Sequence, residues 1–169
     1  ANPDGSTGCW AEFHPNKLTG EANHNVMQIH PDADAILVAL HARDAMAVID
    51  PKRPGDAISI CASYGCKPRF HEYAALEHAA KSGSLVYYSA VDGAAVYAID
   101  WDGQAHWRMI SAPNSLDPVA DAAAQSQFHV NLAHTFGRFR VAHFDDADLA
   151  LLVRHVDSPV YAMLLPTPS

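Results

Sequence analysis

Positive charge is scarce in this chain. Lys and Arg number 11 against 19 Asp and Glu in 169 residues, a formal net charge of −8 with the histidines neutral. The cations form no stripe, which argues against nucleic acid as a partner. Long apolar runs are also missing. The longest, Ala35–Leu40, is strand-sized, whereas a membrane-crossing helix needs roughly 20 residues, so no membrane span is expected. Cysteine is down to three, an odd count that excludes a complete disulfide framework and points to reduced thiols. HExxH, CxxC and CxxCH are absent, which removes the specific metal and haem signatures; no cofactor and no metal are implied. The opening ANPDGST is polar and carries no signal h-region.

What is present describes a globular chain. With 49% hydrophobic and 18% charged residues, residues 1–169 form one domain large enough to bury a core without staples. Eleven histidines are many for this length. Adding eleven protons to −8 gives +3, so the surface is either pH-responsive or simply scatters titratable groups over loops.

Read for pattern, the first twenty residues are a loop punctuated by Pro3, Gly5, Gly8, Pro15 and Gly20. Asn25–His30 alternates as a strand that Pro31 stops. Ala35–Leu40 is a second strand, His41–Ile49 turns helical, and Ala57–Cys61 is a short apolar strand after the Pro51–Gly55 break. A helix follows, with Pro68 in its first turn, Phe70, Tyr73, Leu76 and Ala80 at helical spacing, and Lys81 and Gly83 at its end. Ser84–Val91, Ala94–Trp101 and Gln104–Ile110 form a meander joined at Asp92-Gly93 and Asp102-Gly103, because Asp-Gly between apolar runs tolerates the positive φ of tight hairpins. Asp117-Pro118 opens a helix to about Gln127. Phe139–Phe144 is a strand, Asp145 or Asp146 caps a helix to about Val156, and Pro159–Leu165 closes as a strand. The expected fold is α/β (α+β): a mixed β-sheet with parallel strands from the first half, an antiparallel meander and flanking helices. HPDADAILV from His30 and HFDDADLALLV from His143 echo each other, although their surroundings do not match.

Chemistry concentrates in Asp56–Ala90, which holds two of the three cysteines. Cys61 follows Ile58-Ser59-Ile60 and precedes a Gly65-containing turn. A nucleophilic thiol needs exposure at a strand end, a base, and backbone N–H groups for an oxyanion; the bland alternative is a buried structural cysteine. The succession of strand with His, proline-rich break, strand with Cys, glycine, helix and VYY strand resembles the caspase–haemoglobinase fold, including the CHAT-type, clan CD-like cysteine peptidase domains of bacterial toxins. The resemblance covers about Asn25–Ala90 and implies His30 as base and Cys61 as nucleophile. His30 is followed by Pro31 where the family has glycine, and Gly65 lies one residue late. His41 is a rival base.

Cys66 is the competing nucleophile. It precedes the expected helix, and His106 opens a meander strand in the order of papain-like enzymes, with Asn114 or Asp117 to orient the imidazole. Cys9 has no helix to follow it, because Glu12, His14 and Pro15 interrupt. His71 and His78 lie two helical turns apart, as a shared site or two solvated side chains. Asp100, Asp102, Asp145, Asp146 and Asp148 form either an acidic lip or capping groups, and the aromatic meander is a recognition face or core. The expected function is a cysteine-dependent hydrolase or transferase of peptidase-like type, a soluble bacterial effector or toxin domain in the cytoplasm or secreted, acting on a protein or peptide. The alternatives are a non-catalytic protein-interaction module of adaptor or immunity type, the papain-like enzyme using Cys66 and His106, and a histidine metal site. Substrate and oligomeric state do not follow from the sequence.

Overall fold

The computed structural model describes residues 26–53, 59–70, 74–89, 95–111, 139–153 and 159–167. Among them the chain is built from strands, with a single 3₁₀ turn at His41–Arg43 and no α-helix. The α/β expectation is therefore corrected to a nearly all-β architecture.

Three sheets follow one another along the chain. The first is an antiparallel meander of β1 (Val26–His30), β2 (Ala35–Leu40), β3 (Ala45–Ile49) and β4 (Ser59–Cys61). The second contains β5 (Ser63–Gly65), β6 (Ala75–Ala79), β7 (Ser84–Tyr88), β8 (Val96–Trp101) and β9 (Ala105–Ser111), in the order β5-β9-β8-β7-β6. The third is a meander of β10 (Phe139–His143), β11 (Asp148–Val153) and β12 (Val160–Leu164). Every pairing is antiparallel except β5 with β9, so the parallel strands expected in the first half are corrected as well.

The helices fail for one physical reason: these segments are apolar on both faces. A strand buried on one side alternates apolar and polar residues, but one sandwiched between layers has no such alternation to display. In β6, Leu76 faces the core shared with the first sheet, while Ala75 and Ala79 face the core shared with the third. The helical spacing of Phe70, Leu76 and Ala80 is thus incidental, and good helix formers are overridden by packing. β11, where a capped helix was expected, is covered on one face only but is apolar on both, with Ala150 and Leu152 on the inner core and Leu149, Leu151 and Val153 on the other side. In His41–Ile49, the 3₁₀ turn and left-handed Asp44 (φ 47°) reverse the chain into β3. The Asp117–Gln127 helix and the Asp92-Gly93 turn lie outside the described residues.

The sheets stack face to face. The first and second share a core of Leu37, Ala39 and Met46 against Leu76, Leu85, Tyr87, Tyr97 and Trp107. Val86, Tyr88 and Val96 on the opposite face of the second sheet pack with Phe139, Ala150 and Leu152 of the third. The leading strand of each meander is the one that meets its neighbour: β6 packs against β1 on one side and β10 on the other. Asp44 ties the incoming chain to this stack, accepting from Lys67 Nζ at 2.7 Å and from the Phe70 N–H at 2.8 Å. Gly65 (φ +85°) lets β5 approach β9 so closely that a Cβ there would lie 2.2 Å from the Trp107 carbonyl oxygen.

Candidate functional site

The structure does not bring Cys61 and His30 together. They sit on β4 and β1, the two outer strands of a four-stranded sheet, three inter-strand spacings or about 14 Å across it, and the registers set Cys61 level with Val26, four residues along β1 from His30. Cys61 is half-buried, and its Sγ donates to the Met46 carbonyl at 3.5 Å. Burial pushes its thiol pKa up, the direction opposite to activation. The segment behind it, where the resemblance implies a helix, contributes β5 and β6, the two opposite edge strands of the second sheet.

His30 has a different setting. It is 3% exposed, and among the described residues neither ring nitrogen has a hydrogen-bond partner. Its ring lies 5.8 Å from that of His78, tilted by 57°. Burial holds the His78 imidazole below its ordinary pKa; His30 and His143 push the same way, while Asp32 and Asp148 oppose them.

These residues gather where three hairpins converge. His30 pairs with Ala35, Ala79 with Ser84, and His143 with Asp148, so each leading strand turns back through a four-residue connection. A Cβ on Gly83 of the second turn would lie 3.3 Å from the Asp32 carboxylate of the first. The Lys81 N–H of the second turn donates to Asp148 Oδ2 at 2.7 Å, and Asp148 Oδ1 lies 2.8 Å from His143 Nδ1. Asp148 is 1% exposed, a buried carboxylate with both oxygens engaged. The sequence carries one signal of this end: the two HPDADAILV-like segments span equivalent first hairpins. His78 was assigned to a helix with His71, which lies outside the described residues.

The second thiol is the more exposed of the two. Cys66 is exposed, and its N–H donates to the Trp107 carbonyl at 3.1 Å. Through the parallel β5–β9 pairing Tyr64 lies opposite His106, and their rings stack at 5.5 Å. His106 Nε2 lies 3.0 Å from Asp102 Oδ1. Asp102 therefore stands where a carboxylate that orients the imidazole would, a partner the sequence reading missed although it is only four residues away across the Asp-Gly turn. Asn114 and Asp117, named for that role, and Cys9 lie outside the described residues.

The acidic groups are otherwise engaged. Asp100 accepts from Arg108 Nε at 2.9 Å and from Ser84 Oγ at 2.5 Å; burial raises its pKa, but these donors outweigh that and hold it below the usual range. Among the described residues no three His, Cys, Asp or Glu side chains come together to hold a metal, and no helix is long and apolar enough to cross a membrane.

Compared with known protein families, curated proteins and solved structures, the chain matches none.

Proposed function

We propose that the chain is a non-catalytic interaction module, a stack of β-sheets in the manner of consecutive β-propeller blades, which presents its converging hairpins and outer sheet faces to partners. Propeller blades are four-stranded sheets set around a central channel, and the meanders here adjoin through their leading strands. The observation that carries this reading is the packing of β6 between β1 and β10: it devotes both broad faces of the middle sheet to structure. Among the described residues Cys61 also has no histidine partner, and burial raises its pKa.

A second reading, a thiol enzyme, draws on one contact, the 3.0 Å approach of His106 to Asp102, on the strand that pairs with β5 just before exposed Cys66. Native iodoacetamide labelling from pH 5 to 9, read by peptide mass spectrometry, separates the two. The interaction module predicts that Cys61 reacts only after unfolding and that Cys66 labels at the rate of an ordinary exposed thiol, unchanged in His106→Ala. Rapid labelling of Cys66 at pH 6 that is lost in His106→Ala transfers the assignment to the enzyme. Rapid labelling of Cys61 that depends on His30 restores the caspase-like dyad.

A further inference from the structure

We propose that the converging hairpins form an acid-operated latch: protonation of the facing His30 and His78 frees the leading hairpin of the first sheet from the second sheet, while the contact between the second and third sheets holds. This goes beyond the reading of the chain as an interaction module and stands without it.

Burial without pairing supplies the argument. His30 on β1 and His78 on β6 meet across the seam between the first and second sheets, with ring centroids 5.8 Å apart. Both ring nitrogens of His30 and Nε2 of His78 are buried with no hydrogen-bond partner among the described residues. A neutral imidazole brings one N–H and one lone pair to such a place, whereas an imidazolium brings a charge and two N–H donors to be satisfied. One proton shared between the rings satisfies a single donor, and a proton on each sets two cations against one another. Water satisfies these donors only when the hairpin parts from the second sheet. Burial, and then the charge of His30, lowers the His78 pKa, so the open arrangement takes up the proton more readily than the closed one.

The charges around the pair do not offset this. From the first hairpin Asp32 attracts the proton but is exposed, where water weakens its pull, and Asp34 is paired with Lys52. The second turn carries the cation Lys81, Glu77 pairs with Arg140 on the opposite face of β6, and β7, which also meets β1, has no Asp, Glu, His, Lys or Arg. From the third sheet His143 repels a charge on His78, the Asp148 oxygens are taken by the Lys81 N–H and by His143, and Asp145 and Asp146 are exposed. The same acid acts oppositely on that sheet, because a proton on His143 turns its 2.8 Å contact with Asp148 into a charge-assisted pair. Acid therefore loosens one seam and tightens the other. Farther along the loosened seam Leu37 and Met46 stay packed with Tyr87 and Trp107, so opening is confined to the hairpin end. Uncovered there, β1 is an edge strand whose ladder to β2 opens to water.

Amide hydrogen exchange of the 169-residue chain tests this, read by peptide mass spectrometry between about pH 7 and 5 and corrected for the pH dependence of intrinsic exchange. Protection across β1 and its turn, residues 26–35, is expected to fall by up to about tenfold per pH unit for each proton taken up, while protection across residues 139–153 stays level or rises. His30→Gln and His78→Gln each flatten the fall, with far-UV circular dichroism to check that the strands remain. Unchanged protection of β1, or an equal loss in both segments, overturns the proposal in the wild type alone, without recourse to a variant. So does a fall that persists at full size when both histidines are replaced by Gln, which would place the sensitivity on other groups. Exchange is read independently of thiol labelling, so failure here leaves the choice between module and enzyme to that experiment.

Discussion

The middle sheet is held differently on its two sides. Toward the first sheet the interface is aromatic volume: Trp107 meets Phe70, Tyr87 and Tyr97 with ring centroids 5.3, 5.7 and 6.5 Å apart. Toward the third sheet it offers the small side chains of Ala75 and Ala79 and a single stacked pair, Tyr88 with Phe139 at 5.2 Å. Position on that side is fixed by polar anchors, Asp148 to the Lys81 N–H and Arg140 to Glu77. Apolar volume sets how strongly two sheets adhere, because its contribution scales with area and is non-directional. A buried carboxylate on a backbone N–H sets where they adhere, because misplacement leaves both groups unsatisfied.

The largest effect is therefore expected on the aromatic side. Trp107→Ala should lose about 3–5 kcal/mol in denaturant unfolding. Trp107→Phe should lose less, since it keeps a ring against Phe70 and removes an indole N–H that has no partner among the described residues. An alanine variant within about 1 kcal/mol of wild type would mean that the aromatic cluster does not carry this interface. On the other side, Asp148→Ala should cost about 1–3 kcal/mol by stranding the Lys81 N–H, and Asp148→Asn should recover part of that through its remaining carbonyl oxygen. If amide exchange at Lys81 is no faster in Asp148→Ala, the anchor is not what orders the second turn.

How much of this was legible in the sequence follows from which segments keep a readable pattern. Ala35–Leu40 and the strands flanking Asp102-Gly103 stand out because apolar runs end at residues with a physical reason to turn: Gly103 takes φ +101°, and Pro31 stops β1. β6 and β11 were hidden, since apolar residues on both faces erase the period-2 signal and leave Ala, Leu and Glu to read as helix. The parting of Cys61 from His30 was hidden for a different reason. Each does end an apolar strand as expected, but their separation is decided by the order β1-β2-β3-β4, a non-local fact. The hairpin end was half legible. The echoed segments marked two of its turns, whereas the contacts of Lys81 with Asp148 and of His30 with His78 join residues 67 and 48 positions apart.

Acid should discriminate between the two interfaces next. The His78 imidazole, on the side facing the first sheet, titrates below its ordinary value in the fold because burial and then His30 disfavour its charge. The unfolded chain therefore binds the proton more readily. This group's contribution is complete above about pH 6.5 and is lost as pH falls through that value toward the lower folded pKa. His78→Gln should flatten the slope of stability against pH below about 6.5 relative to wild type. An unchanged slope would assign the acid sensitivity to other histidines.

The smallest effect is expected at the outer anchor of the third sheet. Arg140 Nη1 lies 2.6 Å from Glu77 Oε1, but the arginine side chain is 64% exposed while the glutamate is 16% exposed. An arginine so open to water gains little from pairing, and ordering its long side chain costs entropy, so Arg140→Ala should lose no more than about 1 kcal/mol, and less still at high salt. The reverse truncation is the sharper probe. Glu77→Ala removes a half-buried charge together with its partner's attraction, and its cost should stay below that of Asp148→Ala, whose carboxylate serves a backbone N–H that water cannot easily reach. If Arg140→Ala instead matches Asp148→Ala, the third sheet is held by its ion pair rather than by its buried carboxylate, and the contrast between the two sides of the middle sheet becomes one of solvent exposure rather than of volume against position.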